Sequence, residues 1–197
     1  MYNINDDHYM NDPRNYCKNA AEINLMNTIR SLWEQHAAWT RSTITSIVFS
    51  QPDEEFVTRR LLRNPEDFAD ALRPFYGESI ASRFSGLLTE HLVIAAELIK
   101  AIKAGLTKKA KDAEKRWYQN AKDIAAFLAQ INPFWSEESW KAMMFEHLRL
   151  VTAEAVEMLR GNYQASINAT DENEEHVLEM ADMMITGIIM QFPEQFE

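Results

Sequence analysis

The chain has 197 residues, 46% of them hydrophobic, which is enough to fill the core of one domain. Its formal net charge of −10 repels phosphate backbones and anionic headgroups, so nucleic acid and membrane surfaces are not expected partners. The single cysteine, Cys17, excludes an intramolecular disulfide and a thiolate metal cluster within one chain.

Only 5 glycines are present, against the roughly 14 that average usage would give. Few tight turns and long helices follow. No apolar run approaches the roughly 20 residues that span a bilayer. The polar start "MYNINDDHYMNDPRNYCKN" has no secretory pattern. The expected location is cytoplasmic.

Residues 1–18 are expected to form a flexible tail, and 19–193 a single helical domain. A long helix should start near Asn19, with Ile23, Met26, Ile29, Trp33, Ala37, Thr40, Ile44 and Ile47 at steps of three and four. Pro52 should end it. In the next segment Asn64-Pro65 and Arg73-Pro74 read as breakers. They predict two short helices, 53–63 and 66–72, forming a crossover. Its Arg59, Arg60, Arg63 and Arg73 would hold an anion or pair with the acidic surface. Ser79 should cap a helix over 79–103, stopped near Gly105. A third helix is predicted over 107–131, ended by Asn132-Pro133. Ser136 opens a fourth with a partial capping box, and Gly161 stops it. A fifth runs over 164–190 before Pro193. No segment alternates at period two for long enough to make a strand. The fold class is all-α, an antiparallel, ferritin-like bundle of five long helices with a short-helix crossover.

Two stretches superimpose. Phe84 falls on Trp140, Leu87-Leu88 on Met143-Met144, and Glu90-His91-Leu92 on Glu146-His147-Leu148. The pattern predicts a helical hairpin used twice, over 79–133 and 137–193.

His91 lies seven residues after Phe84, and His147 seven after Trp140. Heptad spacing keeps such residues on one side of a helix, so both imidazoles should point inward. His36 follows Trp33 by three and borders the stripe of its own helix. Histidine nitrogens and carboxylate oxygens suit iron, manganese or zinc, and bundles build metal sites from ligands on facing helices. The candidate ligands are His36, His91, His147 and His176, with Glu90, Glu146, Glu154, Glu172 and Glu179 as carboxylates. Glu172, His176 and Glu179 share one helix face at spacings of four and three. Glu-x-x-His and His-x-x-x-His pairs are absent. The ten methionines and the five tryptophans read as core packing.

The segments "LWEQHAAWTRSTI", "RLLRNPEDFADALRPFYG", "LLTEHLVIAAELIKAIKAG", "AEKRWYQNAKDIAAFLAQINPFWS" and "FEHLRL" resemble a family of small helical proteins of spore-forming Gram-positive bacteria, over about residues 25–193. Its members are often catalogued under the name acetylglutamate kinase. That kinase resembles an α/β sandwich with glycine-rich phosphate loops, and this chain has neither such loops nor predicted strands. More remotely, the bundle is similar to ferritin-like and hemerythrin-like proteins, some of which carry iron. Two functions follow as expectations. One is a metal-binding bundle, holding iron or manganese, with zinc as a further choice, and handling oxygen or peroxide. The other is a non-enzymatic structural or interaction protein, with a second copy of the chain as partner, whose histidines only order the core. No substrate is legible.

Overall fold

A computed structural model describes residues 19–197, so the expected tail at 1–18, with Cys17 and His8, lies outside the described residues. The elements are α1 (Ala20–Phe49), α2 (Glu54–Leu61), α3 (Asn64–Lys103), α4 (Thr107–Ile131), α5 (Glu137–Leu159), α6 (Tyr163–Gln191) and a closing 3₁₀ turn (Pro193–Gln195). Among the described residues there is no strand. The all-α bundle is as expected.

The helix ends follow local chemistry. Asn19 caps α1 by accepting the Glu22 N–H at 2.9 Å, and Ser50 closes it in the left-handed region at φ 52°. Ser136 caps α5 by accepting the Ser139 N–H at 3.3 Å, with Glu137 and Glu138 against the positive end of the helix.

The crossover differs from expectation. Asn64-Pro65 starts α3 instead of breaking a helix, because a proline in the first turn has no N–H to leave unpaired. Ser79 caps nothing, since the helical stretch is already under way. The interruption falls instead at Gly77, whose φ 76° and ψ 173° lie where glycine alone is at ease. We treat α3 as two arms, 64–76 and 78–103. Asn64 sits beside His36, midway along α1, whereas Ala71 and Phe75 share a cleft with Ala21, Leu25 and Thr28 at its start. The first arm therefore runs antiparallel to α1. Arg60, on α2, reaches Gln35 and stacks over Trp39, so α2 is the upper half of the same return.

The connections at 104–106, 132–136 and 160–162 are short, which makes their helices antiparallel neighbours. The bundle is thus three hairpins: α1 with α2 and the first arm, the second arm with α4, and α5 with α6. Helices α1, α5 and the second arm share a direction and meet at the centre.

The core is continuous. Trp33 packs on Phe68 and Phe68 on Phe84, all three buried. Ile23, placed on the predicted stripe, is 45% exposed, and Leu25 is buried in its place. The crossover arginines pair mostly with nearby acids: Arg59 with Glu55, Arg63 with Asp67, and Arg73 with Glu66, Asp70 and Glu78.

Candidate metal centre

His36 on α1, His91 on the second arm of α3 and His147 on α5 are 1–2% exposed and meet at one level of the bundle. Their ring centroids are 5.3 Å (His36–His147), 6.0 Å (His91–His147) and 6.5 Å (His36–His91) apart. The sequence alone predicts that they point inward. Their common depth is a property of the tertiary structure.

Each histidine has an asparagine that the sequence reading passed over. His36 Nδ1 lies 3.1 Å from Asn64 Oδ1, His91 Nδ1 3.0 Å from Asn120 Oδ1, and His147 Nδ1 2.8 Å from Asn173 Oδ1. All three asparagines are buried. Asn64 donates its amide nitrogen to the Leu32 carbonyl at 3.0 Å, and Asn120 donates to the Leu87 carbonyl at 3.0 Å. Both carbonyls belong to the residue four before the histidine. With the amide nitrogen used there, the amide oxygen faces the ring, and an oxygen can only accept. His36 and His91 therefore carry a proton on Nδ1 and present a lone pair at Nε2.

The third hairpin repeats the device with one change. The carbonyl four before His147 belongs to Met143, and His176 Nε2 donates to it at 2.8 Å. His176 stands three residues after Asn173, on the same helix, and its Nδ1 lies 3.7 Å from Glu179. It is a brace for the backbone of α5.

His36 Nε2 and His147 Nε2 face each other at 3.4 Å. With both Nδ1 protons committed to asparagine oxygens, two lone pairs meet in a buried space. Burial depresses the three histidines: His36 to about 4, His91 to about 3 with help from His36, and His147 well below its usual value. A proton between the rings is thus disfavoured at neutral pH. Two nitrogens about 2.0–2.1 Å from a tetrahedral ion stand about 3.4 Å apart, the separation observed here. Among the described residues, no group of three or more His, Cys, Asp or Glu side chains is placed to hold a metal ion. His91 is the ring that stands further out.

The candidate glutamates go elsewhere. Glu90 is exposed and flanks Asn120 at 3.4 Å. Glu146 holds Arg149 through both carboxylate oxygens, at 2.6 and 2.8 Å. Glu172 and Glu179 are exposed, the first 3.8 Å from Arg149. Glu154 is buried at 1% exposure, but its carboxylate accepts from Arg41 at 3.1 Å, and Arg41 also donates to Ser166 and Thr170. Burial raises Glu154 to about 7 in spite of the arginine. Helical spacing could place these glutamates on a face but not opposite a given partner. An arginine within reach on the same or a neighbouring helix pairs with three of them, Glu146, Glu154 and Glu172.

A surface groove between α1 and α6, lined by Glu34, Ala38, Asp171, Glu174 and Glu175, lies at the level of His36 and Asn173. No helix among the described residues is long and apolar enough to cross a membrane. Comparison with protein-family models, with curated proteins and with solved structures yields no match.

Proposed function

We propose that this protein binds a transition-metal ion through Nε2 of His36, His91 and His147. The observation that carries this reading is the pair of Nε2 lone pairs of His36 and His147, facing at 3.4 Å with their Nδ1 atoms held by asparagine. Two ring nitrogens that close share either a proton or a cation. Metal-binding histidines commonly donate their second ring nitrogen to a fixed oxygen, which sets tautomer and orientation. The three asparagines supply that oxygen. The groove of Glu34, Asp171, Glu174 and Glu175 gives a cation a negatively charged approach at the right height.

Three neutral imidazoles suit iron or zinc better than manganese, which favours oxygen donors. The candidate carboxylates have other partners or face solvent, so the function proposed is metal binding, with no turnover assigned.

The second reading is a structural cluster. The His–Asn bonds join α1 to the first arm of α3, the second arm to α4, and α5 to α6, which would order the core without any ion. Element analysis of protein purified without an affinity tag separates the two. Metal binding gives about one ion per chain and a melting temperature that falls on chelation. The double variant His91→Ala, His147→Ala retains helical content and loses the ion. Metal-free protein whose melting ignores added zinc and iron would leave the structural reading.

A further inference from the structure

The surface charges of this acidic chain are unevenly spread. Helix α6 carries Asp171, Glu172, Glu174, Glu175, Glu179 and Asp182, and neither lysine nor arginine. Helix α4 carries Lys108, Lys109, Lys111, Lys115, Arg116 and Lys122. The two helices flank α5, which packs against both. At about 100° per residue, Lys111, Lys115 and Lys122 fall within about 60° of Tyr118 around α4. Tyr118 packs edge-on against Phe145 of α5 at 4.9 Å, whereas Arg116 reaches Glu97 on the opposite flank. These three exposed lysines therefore form a stripe on the outer face, towards α5. None of them has an ion-pair partner among the described residues. On α6, His176 and Glu172 mark the side towards α5, through the Met143 carbonyl at 2.8 Å and Arg149 at 3.8 Å. Glu172, Glu175 and Glu179, at spacings of three and four, form an exposed stripe on that side.

Between the stripes, the outer side of α5 presents Ala142, Glu146, Arg149 and Ala153, two small residues flanking an internal ion pair. The face thus runs from positive through neutral to negative across three helices. A symmetric contact between two copies needs a surface complementary to itself. A two-fold axis lying along α5 exchanges the two flanks and keeps every height, so it sets lysines on glutamates only if both stripes lie at one level. They do: Tyr118 stands against Phe145 and His176 against Met143, and the lysine stripe straddles the first as the glutamate stripe straddles the second. An axis across the helices would set like charge on like. We propose that two copies of this chain pair through the α4–α5–α6 face about such an axis, the lysine stripe of each on the glutamate stripe of the other. Isolated surface pairs contribute little, but a row against a row fixes register and rejects other pairings. The 23 residues of α5 extend about 35 Å, and three helices side by side are about 20 Å across. The face is therefore roughly 700 Å², close to the roughly 800 Å² per partner of a stable interface. This pairing does not depend on the metal reading.

The test is sedimentation velocity of the untagged full chain with two charge-reversed variants. One is Lys111→Glu, Lys115→Glu, Lys122→Glu. The other is Glu172→Lys, Glu175→Lys, Glu179→Lys. All six side chains are exposed, so both variants keep the helical content of wild type by circular dichroism. Wild type sediments as a dimer in the micromolar range. Each variant alone weakens dimerisation at least about tenfold, because like charges now face each other. The glutamate-to-lysine variant is less acidic overall than wild type, so general repulsion cannot account for its loss of the dimer. An equimolar mixture of the two variants restores a dimer of one copy of each, since every row again meets its opposite. Glu55→Lys, on α2 and outside the face, leaves the wild-type dimer unchanged. A wild type that stays monomeric throughout the micromolar range overturns the proposal. So does a dimer that survives both triple reversals, or a pair of monomeric variants that do not combine on mixing. Species that grow beyond the dimer with concentration overturn the two-fold arrangement, because an open head-to-tail contact does not close.

Discussion

At the scale of single residues, the unit of this protein is a histidine, an asparagine on the returning helix, and the carbonyl four residues before the histidine. Asn120 shows what the unit does. Its oxygen accepts from His91 Nδ1 and its nitrogen donates to the Leu87 carbonyl, so one side chain fixes both the ring and the helix that carries it. Asn120→Leu leaves the His91 ring N–H buried without a partner, while the Leu87 carbonyl keeps its helical bond from the His91 backbone N–H. The expected loss is about 1–3 kcal/mol of stability, read by urea denaturation of the metal-free protein. Metal affinity should fall about 10- to 100-fold, as for other supporting groups behind metal-binding histidines. The histidines were legible as inward residues because seven-residue spacing from Phe84 and Trp140 fixes their face. The asparagines were not. Asn64 reads as part of a proline-linked breaker, and Asn120 and Asn173 sit on apolar stripes where a polar residue carries no periodic signal. Their separations from the histidines, 28, 29 and 26 residues, match one hairpin length. That regularity in His–Asn spacing was the one signal available.

At the scale of elements, the chain reverses at Gly77, and this joint decides where the second arm of α3 starts and hence the height of His91. The conformation there, φ 76° and ψ 173°, is strained for any residue with a Cβ, although no neighbouring atom would obstruct one. Gly77→Ala should therefore cost about 1–3 kcal/mol, measured by thermal or chemical unfolding, with the cost arising in the backbone rather than in packing. Gly187 is the contrasting case. Its backbone is helical, but a Cβ there would run into the Trp135 indole, which donates to the Met183 carbonyl at 3.1 Å. The closeness of α6 to that ring depends on the missing side chain. The long helices were largely legible: α4 has its expected bounds, and α5 and α6 stop near Gly161 and Pro193. The crossover differs because Pro65 stands in a first turn, where proline initiates a helix, and because the helix runs through Pro74 and is interrupted only at Gly77.

At the scale of the whole molecule, buried ionisable groups set how stability responds to pH, and two of them work in opposite directions. The histidines are depressed on folding, with His36 at about 4 against an ordinary 6.5. Their neutral burial is fully tolerated above pH 6.5, and stability is lost as pH falls through the window down to about 4, because the unfolded chain binds protons that the native core refuses. Glu154 is raised to about 7 from 4.5. Its contribution is fully present below pH 4.5 and is lost as pH rises towards 7, because the unfolded chain releases a proton that the native state keeps. Glu154→Gln, which imitates the protonated form, should match wild type near pH 4. It should gain on wild type steadily up to pH 7, by about 3 kcal/mol at most. Melting temperatures of both proteins across this range give the difference directly. A gap that shrinks as pH rises would show that the pair with Arg41 outweighs burial.

The amino-acid sequence by itself determined that the chain is helical throughout its described length, where most helices begin and end, and that three histidines face inward. Those properties follow from local rules: periodicity, caps, and the backbone limits of glycine and proline. Tertiary structure alone decided that the three rings share one depth, that an asparagine stands behind each, and that the glutamates beside them turn away to other partners. Periodicity reports the face of a helix on which a residue lies. It carries no information on the axial offset between helices, and that offset is fixed by loop lengths and by the reversal at Gly77.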